Sequence, residues 1–283
     1  MISNSLKHSI NEWKSSKKLM IILPLLLLVS ACAREDITES STGFWQRGVV
    51  YTFIQIIEWL SNIFGGNYGI GIIVFTIIIS IILMPVMHIQ YKSMRRIGDL
   101  QPEVEKIKAK YPLNDRESQL KIQEETQQLY KDNGINQLMG CLPIFAQMPV
   151  LMALYQAVYY SPVLRNGHFL WLNLGKPDPY FLLPILAGIF TFLTSWLSMK
   201  SQAQQNSMSK SMTFIMPVFI AFMAIPLPSA VSLYWVTRNI FSVLQTLLLN
   251  NPYKINAERE EKLRLERKRQ REIEKAWRRQ KAK

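Results

Sequence analysis

Long apolar stretches alternate with shorter charged segments between residues 70 and 249. Five of these stretches hold 17–23 residues each and contain no Asp or Glu. That length suits a helix that crosses the ~30 Å hydrocarbon core of a bilayer, at a rise of about 1.5 Å per residue. The pattern therefore predicts an all-α polytopic membrane protein with five transmembrane helices, over residues 70–87, 138–160, 180–199, 212–228 and 230–249.

A shorter and more mixed segment, residues 46–64, precedes the first predicted span. Its apolar side chains recur at helical spacing, with Gln55 and Glu58 between them. This pattern favours a helix that lies in the interface at the outer face of the membrane. Two consecutive glycines, Gly65 and Gly66, follow it and are expected to end that helix before the first span.

The charged region between the first two spans, residues 90–136, has the pattern of a helical hairpin. Its first helix is predicted over residues 100–110. The second is predicted to begin at Asn114, because Glu117 three residues later completes a capping-box pattern. Gly134 is expected to end it. We therefore predict a cytoplasmic helical hairpin that interrupts the five-helix core.

The first 31 residues have the pattern of a signal peptide, in which a basic start is followed by a short apolar stretch and small residues. The stretch Val29-Ser30-Ala31-Cys32 resembles a bacterial lipobox. We therefore predict that cleavage leaves Cys32 as the N-terminus with a thioether-linked lipid, and that residues 32–69 begin outside the cytoplasm. An ordinary signal peptide with a chance cysteine is the alternative.

Lys and Arg are distributed unevenly over this topology. The regions assigned to the cytoplasm, residues 90–137, 200–211 and 250–283, hold 24 of them, whereas the regions assigned to the outside hold four. Such an excess marks the cytoplasmic side of a membrane protein. Charge and signal peptide therefore agree on a multi-pass bacterial cell membrane protein with its N-terminus outside and its C-terminus in the cytoplasm.

The tail, residues 250–283, carries 13 basic and six acidic residues. Pairs such as Glu258 with Lys262 and Glu274 with Arg278 lie four residues apart, which supports a solvated helix. Its positive charge suits the phosphates of ribosomal RNA or of anionic lipid. The alternative is a tail that only sets topology and keeps the protein soluble.

Motifs of soluble enzymes are absent from the sequence. It has three scattered histidines, no phosphate-binding glycine loop and no nucleophile elbow. No predicted span contains an Asp or Glu, which also disfavours a proton-coupled transporter. The sequence therefore predicts a protein that is not an enzyme and needs no cofactor or metal.

Polar side chains inside the predicted spans form the candidate site. Arg238 is the ninth residue of the fifth span, where a charge costs at least about 2.5–3.5 kcal/mol. Polar residues can simply hold helices together. Since no span offers Arg238 a carboxylate, a wet cavity or groove fits better. The candidate groove residues are Thr76, Ser80, Gln147, Trp235, Arg238 and Asn239.

Several segments together resemble the YidC family of membrane protein insertases. They include "GGNYGIGIIVFTIII", "LQPEVEKIKAKY", "LYKDNGINQLMGCLPIFAQMPVLMALY" and "LYWVTRNIFSVLQT", and the lipobox resembles the lipoprotein form of Gram-positive bacteria. The resemblance implies a five-helix core over residues 70–249 around a hydrophilic groove that is open to the cytoplasm and to lipid. It also implies insertion and folding of nascent membrane proteins, alone or with the Sec translocon, without a nucleotide.

The sequence departs from the family pattern at the groove. The family arginine of the first span would fall at Ser80, whereas this chain carries Arg238 in the fifth span. We hypothesise that the groove cation has moved from one wall to the opposite wall; a variant with impaired function is the alternative. Gln137 stands where the family often has proline.

Two other classes of function stay open at this stage. A small-solute transporter would also need polar stripes and a charge, but its site is often built from internal repeats, and none is visible. A static assembly scaffold would need the spans without a wet groove. Solvent access to Ser80 and Gln147 distinguishes a groove from a scaffold.

Overall fold

The computed structural model describes residues 43–113, 115–136, 140, 142–202 and 207–281. The described chain is mostly helical and carries one antiparallel pair of two-residue strands. In chain order the elements are a π-helix (Phe44–Tyr51), α1 (Thr52–Ile63), α2 (Tyr68–Ile82), α3 (Met84–Asp99), α4 (Gln101–Lys110), α5 (Arg116–Asp132), α6 (Leu142–Tyr160), α7 (Pro162–Arg165), β1 (His168–Phe169), β2 (Leu172–Asn173), α8 (Leu182–Lys200), α9 (Ser207–Ala224), α10 (Ser229–Leu249) and α11 (Pro252–Lys281).

One end of the helix bundle, here called the hairpin end, gathers the helical hairpin and the tail. Arg259 of α11 donates hydrogen bonds to Asp99 at the end of α3 and to the Ser201 carbonyl just after α8. Asn250, after α10, donates to the Ser201 hydroxyl at 3.1 Å. The C-terminal ends of α3, α8 and α10 therefore lie together.

The opposite end, here called the strand end, gathers the other helix termini around β1 and β2. Ser229, at the start of α10, donates from its backbone to the Lys176 carbonyl at 2.7 Å. Gly69, near the start of α2, packs against Phe169 of β1 so closely that a Cβ would overlap the ring. The helix α10 thus runs between these two ends, as do α2 and α3 taken together.

The segment before α2 is helical, as predicted, and folds back on the bundle. The π-helix and α1 together make an angle of 117° with α2. The turn is formed by Gly65 and Gly66, whose φ angles of 69° and 81° suit glycine, so the predicted helix end is confirmed. Gly71 of α2 lies directly against Ser61 of α1, so the close approach of these two helices requires a glycine at this position.

Two predicted span boundaries were wrong, and proline explains both. The first span was predicted as one helix over residues 70–87, but α2 ends at Ile82 and α3 begins at Met84. Pro85 has no backbone N–H, so it cannot continue the series of helical hydrogen bonds of α2. The fourth span was predicted to reach residue 228, whereas α9 ends at Ala224, two residues before Pro226.

The predicted hairpin helices are present as α4 and α5. The predicted cap was wrong by one residue: Asp115, rather than Asn114, caps α5, and its carboxylate accepts from the Ser118 backbone N–H at 2.8 Å. At the other end, Gly134 has a φ of 63° and bonds back to Lys131, so the predicted stop is confirmed.

One acidic side chain ties the two hairpin helices together. Glu125 of α5 accepts hydrogen bonds from the Lys110 ammonium at 2.8 Å and from the Tyr111 hydroxyl at 2.5 Å. These bonds hold the pKa of the Glu125 carboxyl below its ordinary value. The contact is exposed, so it fixes the geometry of the hairpin more than it adds to global stability.

The apolar core lies where α1, α2, α6 and α10 meet. Its largest fully buried side chains include Ile57, Phe75, Leu154 and Tyr234. Outward-facing side chains of α2 and α9 are also apolar, with Ile82 64% and Phe222 71% exposed. Large exposed apolar faces of this kind suit a lipid environment.

Among the described residues, one helix, α8, is both long and apolar enough to span a membrane. The bent pair formed by residues 44–63 and α2 passes the same test when taken together, and residues 210–224 of α9 form a shorter apolar helix. The helix α10 has the length, but Arg238 and its polar neighbours lower its mean hydropathy. Five spans therefore remain a prediction.

Candidate functional site around Arg238

Arg238 lies on a side of α10 that faces the interior of the bundle. Tyr234 is one helical turn before it and Gln245 two turns after it, so the three side chains share that side. Tyr234 and Gln245 are each 2% exposed, and Arg238 is largely buried. One cation and two polar groups therefore line a helix face that packs against other helices.

Arg238 and Gln245 have buried polar atoms that find no hydrogen-bond partner among the described residues. These atoms are Nε and Nη1 of Arg238 and both amide atoms of Gln245. No described carboxylate forms an ion pair with Arg238. Buried polar groups are nearly always paired. The two side chains therefore mark a place where water or a polar group of another molecule completes the site.

Two further helices contribute polar groups beside Arg238. The Gln147 amide of α6 donates to the Tyr234 hydroxyl. Tyr91 of α3 shares a 3.0 Å hydrogen bond between its hydroxyl and that of Thr246. Both tyrosines are close enough to interact with the charge of Arg238. The structure thus brings the predicted residues Gln147 and Arg238 into one polar cluster.

Thr76 and Ser80, the predicted groove residues of α2, are fully buried at 0% and 1% exposed. Their hydroxyls donate to carbonyls of their own helix, from Thr76 to Ile72 at 2.6 Å and from Ser80 to Thr76 at 2.7 Å. Since α2 packs against α10, the two hydroxyls form a buried wall that is polar, uncharged and already hydrogen-bonded.

Trp235 and Asn239 belong to a different part of the predicted polar face. The Asn239 amide donates to the Thr191 hydroxyl of α8 at 3.0 Å, and Trp235 is half-buried one turn earlier on α10. A polar bond between neighbouring helices of this kind holds a bundle together. The polar face of α10 is therefore divided. Asn239 makes a contact with α8, whereas Arg238 belongs to the polar cluster formed with α6 and α3.

Sequence reasoning did not find the two tyrosines of this cluster. Tyr234 stands four residues before Arg238, and that helical spacing is the signal that could have identified it. Tyr91 lies beyond the end predicted for the first span, where the sequence already turns charged. Its position in α3 follows from long-range packing and has no local signal.

The predicted signal peptide (residues 1–31) and the predicted positions Cys32, Asn114 and Gln137 lie outside the described residues. Among the residues that the structure does describe, no group of three or more His, Cys, Asp or Glu side chains could hold a metal ion. The candidate site is therefore built from one guanidinium and from amide, hydroxyl and indole groups.

Together, the apolar outer faces, the polar interior, the charged hairpin and the basic tail define a helical membrane protein with a polar site between its helices. Residues 59–258 match the family model described as 60Kd inner membrane protein. That match covers most of the chain, and it includes every predicted groove residue.

Similar proteins carry a more specific name. The chain is 50% identical over 266 residues to the membrane protein insertase YidC of Enterococcus faecalis, which covers 93% of this chain and 96% of that protein. It is 51% identical over 251 residues to YidC 1 of Lactococcus lactis, covering 89% and 92%. The chain therefore belongs to the YidC family of membrane protein insertases.

A solved structure agrees with this assignment. The crystal structure of an active YidC insertase with its first transmembrane domain resolved is similar, with a TM-score of 0.60 and 28% sequence identity. The match covers 78% of this chain and 49% of that one, so this chain spans about half the length of the solved insertase.

Proposed function

We propose that this protein inserts nascent membrane proteins into the bilayer and helps them to fold, through the polar cluster around Arg238. The observation that carries the proposal is a largely buried guanidinium with unpaired Nε and Nη1 atoms inside a helical membrane protein. Relatives at about 50% identity are named membrane protein insertases, which supports the same activity here.

Arg238 acts on the polar flank of a nascent segment. Moving an uncompensated polar group out of water costs roughly 2–7 kcal/mol. A carboxylate about 4 Å from a guanidinium gains about 4 kcal/mol at the effective dielectric constant of a partly solvated site. An ionised carboxylate costs far more than an uncharged polar group to bury, so the attraction to Arg238 offsets part of that cost while the flank stays partly hydrated. The site therefore favours short flanks that are acidic or rich in hydrogen-bond acceptors.

The apolar part of the substrate leaves sideways into lipid beside α2 and α10. Burial of its apolar surface contributes about 25 cal/mol per Å² and drives the process. The polar flank is then released on the outer side. No covalent bond is made or broken, so the activity needs neither a nucleotide nor a bound cofactor.

The arrangement of the two ends supports the proposed topology of five spans. The hairpin, the α8–α9 connection and α11 meet at the hairpin end, where Arg95 pairs with Glu258 and Asp99 with Arg259. Segments assigned to the cytoplasm from their charge thus lie on one side. The strand end then faces outwards, on the side where a lipid on Cys32 would anchor the chain.

The proposed partners follow from the exposed surfaces and from the family. The helix α11 is exposed from residue 260 onwards and basic, which suits the ribosome that delivers nascent chains. The Sec translocon is a further proposed partner, by resemblance to the family. The hairpin is the proposed first docking place for the nascent segment.

Reconstitution of the purified protein in liposomes tests the proposed function. A short membrane protein is synthesised in the presence of these liposomes, and insertion is scored by protease protection of its inserted segment. We expect protection above that of protein-free liposomes, and no accelerated uptake of small polar solutes. Protection equal to that of protein-free liposomes would contradict the proposal, and solute uptake would indicate a transporter.

A further inference from the structure

An apolar groove of about 410 Å³ lies between α2, α8 and α10, and Arg238 is not among the residues that line it. Its floor is formed by α10 side chains from Leu233 to Leu244, and its walls include Ile77 of α2 and Leu186 of α8. Thr237 is the polar residue among those that line the groove, and its hydroxyl donates to the Leu233 carbonyl of its own helix at 2.8 Å. The lining therefore suits a purely hydrocarbon ligand.

The length of the groove matches one leaflet of a membrane. Eleven residues of helix separate Leu233 from Leu244, which corresponds to about 16 Å at 1.5 Å per residue. Half of a ~30 Å hydrocarbon core has the same length. A transmembrane helix is 10–12 Å wide and about 30 Å long, so the groove fits a single extended acyl chain better.

Aromatic side chains place the mouth of the groove at the level of lipid headgroups. Trp171, at the turn between β1 and β2, lines the groove and donates from its indole to the buried Asp178 at 3.1 Å. Its ring lies 6.4 Å from that of Tyr180. Trp and Tyr are enriched at the membrane interface, so the groove opens there and runs inwards.

The strand turn presents a second apolar residue at this mouth. Leu170 lines the groove, is 74% exposed and has a φ of 53°. A left-handed backbone is unfavourable for Leu, and such strain is often found at ligand sites. Leu170 and Trp171 together form an apolar rim around the entrance.

Two cations without an acidic partner flank the strand pair whose turn carries Leu170 and Trp171, since Arg165 ends α7 before β1 and Lys176 follows β2. Neither Arg165 nor Lys176 forms an ion pair with another described residue, and both side chains are exposed. The Lys176 carbonyl accepts from the Ser229 N–H, one turn before Leu233 on the groove floor. Arg165 packs against Gly175, the residue before Lys176. The two cations therefore lie together at the strand end. The Asp178 carboxylate beside Trp171 is already bound by the Trp171 indole and by the backbone N–H groups of Tyr180 and Leu183.

We propose that this groove binds one acyl chain of an anionic phospholipid from the outer leaflet, while Lys176 and Arg165 hold its phosphate. The placement in the outer leaflet rests on the topology proposed above, whereas the lipid site does not depend on the insertase activity. The bound lipid fills the furrow between α2 and α8 along the outer side of α10.

Native mass spectrometry tests the headgroup part of this proposal. The protein is released by mild detergent from vesicles with equal amounts of phosphatidylglycerol and phosphatidylcholine, and retained lipids are counted. We expect one phosphatidylglycerol in preference to phosphatidylcholine. Arg165→Gln and Lys176→Gln should each lower its retention about five-fold, the value of one cation near a membrane surface, while Arg47→Gln should not. Equal retention of both lipids would overturn the proposal.

A groove-filling variant tests the acyl-chain part. Ile240→Trp places a ring in the groove, and Ile215→Trp makes the same change on the exposed face of α9, away from the groove. We expect Ile240→Trp alone to lose the lipid, with equal thermal unfolding temperatures for both variants. Equal lipid loss in both would indicate non-specific annular lipid. A gain of phosphatidylglycerol in Cys32→Ala would show that the chain's own lipid fills the groove and would also overturn the proposal.

Discussion

Arg238 differs from an ordinary buried arginine because its Nε and Nη1 atoms have no hydrogen-bond partner among the described residues. Its neighbours on α6 and α3, Gln147 and Tyr91, are polar but uncharged. On α2, Ser80 is buried and already hydrogen-bonded within its helix. We therefore assign the charge of the proposed groove to Arg238, whereas Ser80 belongs to an uncharged wall.

Single cysteines test whether this cluster is wet. In a chain without Cys141, we expect Gln147→Cys to react with a charged, membrane-impermeant maleimide added from the cytoplasmic side. Ser80→Cys should react more slowly, because Ser80 is only 1% exposed. Ala157→Cys is the control, because Ala157 is fully buried in the apolar core. Labelling of all three at the same slow rate would show a dry bundle and favour a static scaffold.

Gly71 is the residue on which the packing of α1 against α2 depends most closely. A Cβ there would overlap the Ser61 hydroxyl and lie 2.9 Å from the Ile57 carbonyl. Ala gains roughly 0.5–1 kcal/mol over Gly in a helix, but overpacking costs about 1–3 kcal/mol. We therefore expect a net destabilisation in Gly71→Ala.

Thermal unfolding in detergent measures this effect. Gly48→Ala is the matched control, since its Cβ would lie at an ordinary contact distance of 3.5 Å from the Phe44 ring. We expect Gly71→Ala to unfold at a lower temperature than wild type, and Gly48→Ala to unfold at the same temperature or slightly above it. An unchanged unfolding temperature in Gly71→Ala would mean that α1 shifts freely on α2.

At the scale of elements, the helices and their glycine-marked ends were predictable from the sequence, whereas the ends set by proline and by the cap of α5 were not. The apolar run of the first span continues past Pro85, so the pattern hid the break at Leu83. Likewise, Asp115 caps α5 although the capping box pointed to Asn114. Such boundaries depend on individual backbone hydrogen bonds, whereas the apolar runs that reveal a helix are a property of many residues.

The hairpin should respond to acid through Glu125. Its pKa is lowered in the folded hairpin by Lys110 and Tyr111. The stabilisation is therefore complete above the ordinary pKa of about 4.3 and is lost as pH falls through the lower folded value. We expect α4 and α5 to separate below that range, measured as a longer distance between spin labels at Lys106 and Gln127.

The matched variant for this measurement is Glu125→Gln. It keeps the size of the side chain and removes its charge. The distance between the two spin labels should therefore already be longer at neutral pH and should change less on acidification. A wild-type distance that stays constant through the same acid range would show that apolar contacts between α4 and α5 hold the hairpin without Glu125.

At the scale of the whole molecule, the tail is attached to the bundle at its start and exposed beyond. Glu258 was expected to pair with Lys262 along the helix, but it pairs with Arg95, 163 residues away. Arg259 bonds to Asp99 and to the Ser201 carbonyl. These contacts fix the start of α11 at the base of the hairpin. The hairpin and α11 therefore both lie at the proposed entrance for nascent chains.

Two truncations separate the attached start of the tail from its exposed part. Deletion from Lys262 leaves Glu258 and Arg259 in place, whereas deletion from Ala257 removes them. We expect both to reduce co-sedimentation with ribosomes, and wild-type binding to weaken steeply with salt because phosphate contacts dominate. Unchanged co-sedimentation after both deletions would leave the tail as a device for topology and solubility.

The candidate site could be predicted only in part. Arg238 and Gln147 were found because a charge or an amide inside an apolar run is conspicuous in the sequence. The pairing of Tyr91 with Thr246 joins residues 155 positions apart, and the division of the α10 face between Arg238 and Asn239 depends on which helix lies opposite. Neither property leaves a local pattern.

The most direct test of the central claim compares substrates with acidic and neutral outer flanks in liposomes that contain wild type or Arg238→Ala. If Arg238 is the groove cation, the variant should insert the acidic-flank substrate poorly and the neutral one almost normally, per folded molecule. Ser80→Arg in the Arg238→Ala background should restore part of the activity, and Arg238→Lys should retain part of it because the charge remains. Equal insertion of both substrates by wild type and by Arg238→Ala would contradict the account.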